Sequence, residues 1–354
     1  MPSSPRPPRP TAPRPFVGSP LDAEPPLLRI REPGELLAAV PYLLGFHPCD
    51  SLVLIGLRDA RVMVTARLDL SALAADAGLV GHTVGALRLG GARALAAVVY
   101  DDSADVAEGR PLPWRRLIDD FEACAAAARV EPLDAMLIRR GRWWPYCCAP
   151  PGCGSVEGSA VPGESSTVAA AATYAGLVAL SGRDEVTALL APRDDLARVA
   201  LEPLIAAHLS GVDRDGARSY SWATRREIFA AARRADRLPF TADSLSDDDA
   251  CRYGVALGER AVRDALWFAI DERRLDGRPL WRELSIRLPG PFSAGPLLLF
   301  GWAQWREGNG ALARIAAERA LADAPGYRAA ELLAEVIGSG VNPHRLPQLR
   351  QASA

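Results

Sequence analysis

Val40-Pro41-Tyr42-Leu43-Leu44-Gly45-Phe46-His47-Pro48-Cys49-Asp50-Ser51-Leu52-Val53 is the stretch whose reading decides the fold. Proline fixes its own φ and biases the preceding residue away from helix, so Pro41 and Pro48 predict a turn-rich path through Val40 and His47. Gly45, between them, opens backbone conformations closed to other residues. Leu52-Val53-Leu54-Ile55 is short and β-branched and predicts a buried strand. Asp50 and Ser51 therefore fall on the loop entering that strand. Arg58-Asp59-Ala60 reads as a turn, after which the chain alternates strictly. Val62, Val64, Ala66, Leu68 and Leu70 take one face; Arg61, Met63, Thr65, Arg67 and Asp69 take the other. The pattern predicts a β-hairpin.

Working outward, residues 79–89 fit a short helix stopped at Gly90-Gly91. Residues 95–100 form the next buried strand, which ends in Asp101 and Asp102. An amphipathic helix is expected over 114–128, with Leu117, Phe121, Cys124 and Ala128 on one face. A strand over 134–139 follows, with 142–146 pairing back against it. Strand–helix–strand alternation requires a parallel crossover, and the hairpin makes the sheet mixed, so the first half is predicted as a mixed α/β domain.

Beyond Thr167 no strand pattern recurs. Helices are expected over 169–180, 194–209, 222–234 and 254–272. Asp247-Asp248-Asp249 reads as a helix N-terminus or solvated loop, since EF-hand spacing is absent. Residues 296–307 and 309–322 form two helices around a Gly308-Asn309-Gly310 turn. Gly301, Ala320 and Pro325 have tetratricopeptide spacing, in which a small residue lets two helices approach closely. A following helix puts Ala329, Leu332, Leu333, Val336 and Ile337 on one stripe, as a capping helix would. The expected organisation is a disordered Pro/Arg-rich tail (1–26), the mixed α/β domain (27–161), a helical region (162–290), a tetratricopeptide-like helical module (291–343) and a tail (344–354).

Composition narrows the function classes. Hydrophobic content of 49% and charged content of 24% are ordinary for a globular chain, and a formal net charge of −2 gives no reason to expect nucleic acid or an anionic membrane as partner. All 41 basic residues are Arg, which weakens any argument from an Arg cluster. The stripe Arg226, Arg233 and Arg237 is accordingly read as a solvated face. No apolar run reaches membrane-spanning length and the N-terminus lacks a signal-peptide core, so a cytoplasmic location is expected, with the six Cys reduced.

Residues 40–53, with Arg31-Glu32-Pro33-Gly34-Glu35-Leu36 before them and Arg67-Leu68-Asp69 after, resemble the actinobacterial family called domain of unknown function 4192. The carrying string is LLGFHP-x-DSLV, and the resemblance extends over almost everything but the tail. It implies a fold shared over that span and, as the family's name records, no assigned activity. Cys49 occupies the variable position of the string, which argues against a nucleophilic role for it. The family pattern also implies a Cys, four residues, then a Cys pair followed by P-x-E-G. Here Gly154 replaces the last Cys while Glu157-Gly158 persists.

Two places could hold chemistry. In α/β folds ligands sit beyond the carboxyl ends of the strands. Arg67 and Asp69, Asp101 and Asp102, and the loop residues His47, Asp50 and Ser51 would there supply an acid/base pair and an anion-holding Arg, if they converge. The competing reading is structural: Asp50 and Ser51 cap the turn, and His47 bonds to backbone. A Ser-His-Asp triad from this loop is a poor reading because no G-x-S-x-G elbow is present. The second place is Trp143-Trp144-Pro145-Tyr146-Cys147-Cys148-Ala149-Pro150-Pro151-Gly152-Cys153. Cys148 and Cys153, with Cys147, allow zinc, a reversible disulfide or structural thiols. The leading expectation is a binding or adaptor protein that uses its C-terminal helices for a protein partner and the sheet rim for a small ligand or none. A hydrolase or transferase with Asp and His at the sheet edge, and a thiol- or zinc-dependent sensor, are the alternatives.

Overall fold

A computed structural model of the chain describes residues 32–59, 61–147, 157–163, 166–174, 177–215, 217–343 and 346–349. The period-2 segments form a six-stranded mixed sheet in the order β2-β1-β3-β4-β5-β6. Its strands are β1 (Ser51–Arg58), β2 (Arg61–Asp69), β3 (Ala94–Tyr100), β4 (Glu131–Arg139), β5 (Arg142–Pro145) and β6 (Ser159–Ala160). Among the described strands only β3 and β4 run parallel, joined by a helical crossover; the other neighbours are antiparallel. The mixed α/β reading therefore holds, and the expected hairpin is β1–β2.

Helices cover both faces of this sheet. One face carries Leu52, Leu54, Leu95, Ala97, Val99 and Leu137 against α3 (Gly78–Leu89) and α4 (Arg115–Ala127), with the short α2 (Leu70–Ala75) alongside. The other carries Val53, Ile55, Ala96, Val98, Met136 and Ile138 against α1 (Pro33–Leu44). A strand buried on both faces reads as a continuous apolar run, which is why β1 and β3 stand out in the sequence. The strict alternation expected for β2 breaks at one point. A register shift between Gly56 and Leu57 pairs Leu57 with Val62, and Val62 joins the α1 face while Val64, Ala66 and Leu68 face α3 and α4. An inserted residue flips side chains to the opposite face.

The expectation that Pro41 turns the chain away from helix is overturned, because α1 runs straight through it. Pro41 removes one donor near the helix end, whereas Leu36, Leu37 and Val40 bury an apolar stripe on the sheet. At about 1.5–3 kcal/mol per fully buried side chain, that stripe outweighs a local preference. Gly45 ends α1 in the left-handed region at φ 80°, as its permissiveness predicts.

The second half is helical: α5 (Thr167–Tyr174), α6 (Arg183–Ala188), α7 (Asp195–Val199), α8 (Glu202–Asp215), α9 (Ala217–Ala235), α10 (Asp247–Gly258), α11 (Arg260–Asp271), α12 (Arg278–Arg287), α13 (Ala294–Arg306), α14 (Gly310–Asp323) and α15 (Arg328–Gly338). Several expected helices are cut. The 169–180 helix ends at Tyr174, the 194–209 helix divides into α7 and α8 with Pro203 in the first turn of α8, and the 254–272 helix breaks at Glu259, whose backbone is extended. The triple Asp run does begin a helix: Ser246 caps α10 and accepts the Asp249 amide at 3.1 Å. Leu332, placed on the buried stripe of α15 by its spacing, is 40% exposed, while Ala329, Ala330 and Leu333 are buried. No described helix is long and apolar enough to cross a membrane.

Gly301 of α13 sits where α14 and α15 approach that helix. A Cβ there would lie 2.9 Å from Leu333 Cδ2 and 3.2 Å from Ala316 Cβ, so α14 and α15 can close on α13 only because the side chain is missing. At Gly85 of α3 a Cβ would meet nothing within 4 Å. Two helix glycines should therefore respond in opposite senses in equilibrium denaturation. Gly301→Val is expected to cost about 1–3 kcal/mol through overpacking, and Gly85→Ala to gain about 0.5–1 kcal/mol from backbone entropy.

Candidate functional site

The antiparallel register sets the geometry of the sheet rim. Ser51, at the start of β1, pairs with Asp69 at the end of β2 and with Tyr100 at the end of β3, and Tyr100 pairs with Ile138 of β4. Asp69, Ser51 and Tyr100 thus form one cross-strand row on the α1 face. The predicted residues do converge on one edge of the sheet, but not on one face of it. Asp101 follows Tyr100 and turns to the α4 side, where its Oδ2 accepts the Trp114 indole N–H at 2.8 Å. Its Oδ1 accepts the Ser103 hydroxyl at 2.6 Å and the Ser103 amide at 2.9 Å. Burial pushes the Asp101 carboxyl up, but the Ser103 and Trp114 donors outweigh it and hold the group below the usual carboxylate range. Trp114 itself sits at φ 64°, in the left-handed region, at the entry of α4. A bulky residue there is a backbone outlier, and its bond to Asp101 holds it in place.

Two further rim carboxylates, Asp102 and Asp69, are engaged as well. Asp102 accepts the Arg140 amide at 2.6 Å, tying the end of β3 to the β4–β5 turn. Asp69 forms an ion pair with Arg67 Nη2 at 2.8 Å and lies 3.6 Å from Arg183 Nη1 of α6. Arg183 continues to Glu318 of α14 at 3.5 Å, and Glu318 to Arg314 at 3.7 Å. A chain of alternating charge therefore runs from the sheet rim into the helical half. Its exposed pairs are worth roughly 0–1 kcal/mol each, so it orients the two halves more than it binds them.

The 45–51 loop forms the junction itself. Phe46 is buried, and its ring belongs to the core of the helical half, beside Leu180 and Leu44. Phe46 and Leu180 form an isolated parallel bridge, with the His47 amide donating to Leu180 and the Leu180 amide to Gly45, both at 2.9 Å. The Arg67 guanidinium lies 5.9 Å from the Phe46 ring centroid and donates to the Cys49 carbonyl at 3.1 Å. Asp50 takes φ 41° and its carbonyl accepts the Leu70 amide at 3.0 Å, while the His47 and Asp50 side chains are exposed. Ser51 does not cap the turn: its hydroxyl is fully buried and makes no hydrogen bond. The Tyr100 hydroxyl, in the same row, is also buried without a partner, and burial holds it far above its usual pKa.

Cys148 and Cys153 lie outside the described residues, and Cys147 is exposed. Among the described residues no group of three or more His, Cys, Asp or Glu side chains converges as a metal site would. Arg226, Arg233 and Arg237 are exposed along and just beyond α9, as a solvated face requires. The sequence reading passed over Phe46, Tyr100, Trp114, Arg183 and Glu318. Tyr100 adjoins an Asp pair at a strand end, which is a legible signal. The Asp69–Arg183–Glu318 chain joins residues distant in sequence and leaves no local trace.

This fold and junction define a class: a three-layer α/β unit whose sheet rim is bolted to a helical array. A model of the family described as domain of unknown function (DUF4192) matches residues 33–344, and the chain belongs to that family. No curated protein and no solved structure matches it.

The depressed pKa of Asp101 has a testable consequence. Its folded value lies below that of the unfolded chain, so it adds stability above the usual carboxylate range and loses it as pH falls through the folded value. Trp114→Phe removes one of the donors that lower it, which raises the folded value. In an acid titration followed by far-UV circular dichroism, this variant should unfold at a higher pH than the parent chain. Coincident acid midpoints would show that the indole bond does not hold the carboxylate.

Proposed function

We propose that this chain is a cytoplasmic binding or adaptor protein whose helical half takes a protein partner and whose sheet rim organises the molecule instead of performing chemistry. Nucleic acid and membrane are not its partners on this reading. The observation that carries it is the engagement of the rim carboxylates: Asp69, Asp101 and Asp102 are each committed to internal donors, and Asp69 and Asp101 face opposite sides of the sheet. General acid/base catalysis needs a pair with free proton capacity aimed at one space. The α13–α14 hairpin, with α15 packed at Gly301, supports a tetratricopeptide-like module as the partner-binding part. One observation favours a second use of the rim. The unpartnered hydroxyls of Ser51 and Tyr100 would suit a small neutral hydrogen-bonding ligand, since a buried polar group without a partner is costly.

Photo-crosslinking residues test the partner reading in the living cell. They would replace Leu332 and Leu238, exposed on the helical half, and Leu89 and Leu133, exposed on the sheet half. The proposal expects one and the same polypeptide to be captured from both helical positions and not from the sheet positions. Capture only from Leu89 and Leu133, or from none of the four, would overturn it.

A further inference from the structure

The segment Leu346-Pro347-Gln348-Leu349 lies against the helical half, outside any helix or strand, with two anchors. Leu346 and Leu349 pack on the helical core, while Pro347 and Gln348 are exposed. Its backbone is held by side chains. Arg306, the last residue of α13, donates through Nη1 to the carbonyls of Pro343 at 2.5 Å and Leu346 at 3.1 Å. The Leu349 amide donates to Asp271 Oδ2 at 2.5 Å.

Asp271, the last residue of α11, is 0% exposed. Its Oδ1 accepts the Trp302 indole N–H and is paired with Arg306 Nε, both at 3.1 Å, which leaves Oδ2 to the tail's amide. Taking a carboxylate out of water is costly unless its remaining lone pairs are also satisfied. Beneath it, Trp302 meets Trp267 edge-on at 5.2 Å and Trp305 at 5.1 Å, and the buried Trp267 indole N–H has no partner. One acceptor and one guanidinium, spaced to hold an N–H and a C=O three residues apart, read main chain whatever polypeptide supplies it. The Leu side chains add apolar anchors on either side of a proline, whose fixed φ reduces the freedom of the bound chain. Asp271, Trp302 and Arg306 lie inside the span matched by the family model, whereas the four-residue occupant lies beyond it.

We infer that Asp271, Trp302 and Arg306 form a peptide clamp, occupied in cis by the chain's own Leu346–Leu349, whose trans ligand is a Leu-Pro-x-Leu peptide of the partner. The inference rests on the adaptor reading and gives that partner its recognition chemistry. A tethered segment competes at an effective concentration of roughly millimolar, so the cis tail masks the clamp until a stronger or locally concentrated peptide displaces it.

The test uses the full chain and a fluorescent peptide spanning residues 341–354. In the Leu346→Asp/Leu349→Asp chain the tail loses both anchors while the clamp keeps its residues. Fluorescence anisotropy should then report binding at least about tenfold tighter than to the parent chain, because the masking is removed. A peptide carrying the same two Asp substitutions should not bind either chain. Far-UV circular dichroism confirms the fold, and the milder Leu349→Ala chain supports the same comparison should the double variant unfold. Equal affinity for the released and parent chains, or binding of the Asp-substituted peptide, would overturn the clamp. Crosslinks from Leu332 and Leu238 alongside a failed peptide test would remove the clamp and leave the adaptor reading standing; loss of both results would remove both.

Discussion

Phe46 leaves the α/β unit two residues after α1 ends and buries its ring among the helices of the second half. Much of the rest follows from that placement. To reach it, the chain must stop α1 abruptly, which Gly45 does in the left-handed region, and must then turn back into β1 through Pro48 and the positive φ of Asp50. The Phe46–Leu180 bridge stitches the two backbones at that point, and Arg67 covers the ring while closing the loop through the Cys49 carbonyl. The stretch that dominates the sequence is therefore a joint as well as a strand entry.

Magnitudes decide which contacts hold this joint. Burying one aromatic side chain contributes about 1.5–3 kcal/mol, whereas each exposed ion pair of the Asp69–Arg183–Glu318 chain adds less than about 1 kcal/mol. The apolar contact supplies the affinity between the halves and the charges supply register. The same division explains the rim. Carboxylates that looked like candidate chemistry in the sequence are committed to orienting turns and helices, and Asp101 is kept ionised by doing so.

The sheet was legible because its signal is local and its period is two: β1, β3 and β4 are apolar runs, and the hairpin alternates. The bulge at Gly56–Leu57 was not, since one inserted residue changes a face without altering composition. α1 was misread because the backbone preference around Pro41 is local, while the burial of Leu36, Leu37 and Val40 that overrides it depends on a sheet formed later in the chain. Helix breaks at Leu201 and Glu259 were lost for the same reason: apolar spacing continues across them, and only packing reveals the turn. Strand register puts the rim residues at one end of the sheet, but alternation between Tyr100 and Asp101 turns those two side chains to opposite faces. Asp271, Trp302 and Arg306 carry no motif; they meet because two helices end side by side.

The central claim is that Phe46 joins the two halves into one stable molecule, and a single substitution addresses it. Phe46→Ala, followed by denaturant unfolding with Trp fluorescence, is predicted to lower stability by about 3–5 kcal/mol, the cost of emptying a buried aromatic site. Because Trp281, Trp302 and Trp305 are buried in the helical half, their transition should shift with it. A change within about 0.5 kcal/mol, the range of an ordinary surface substitution, would contradict the claim.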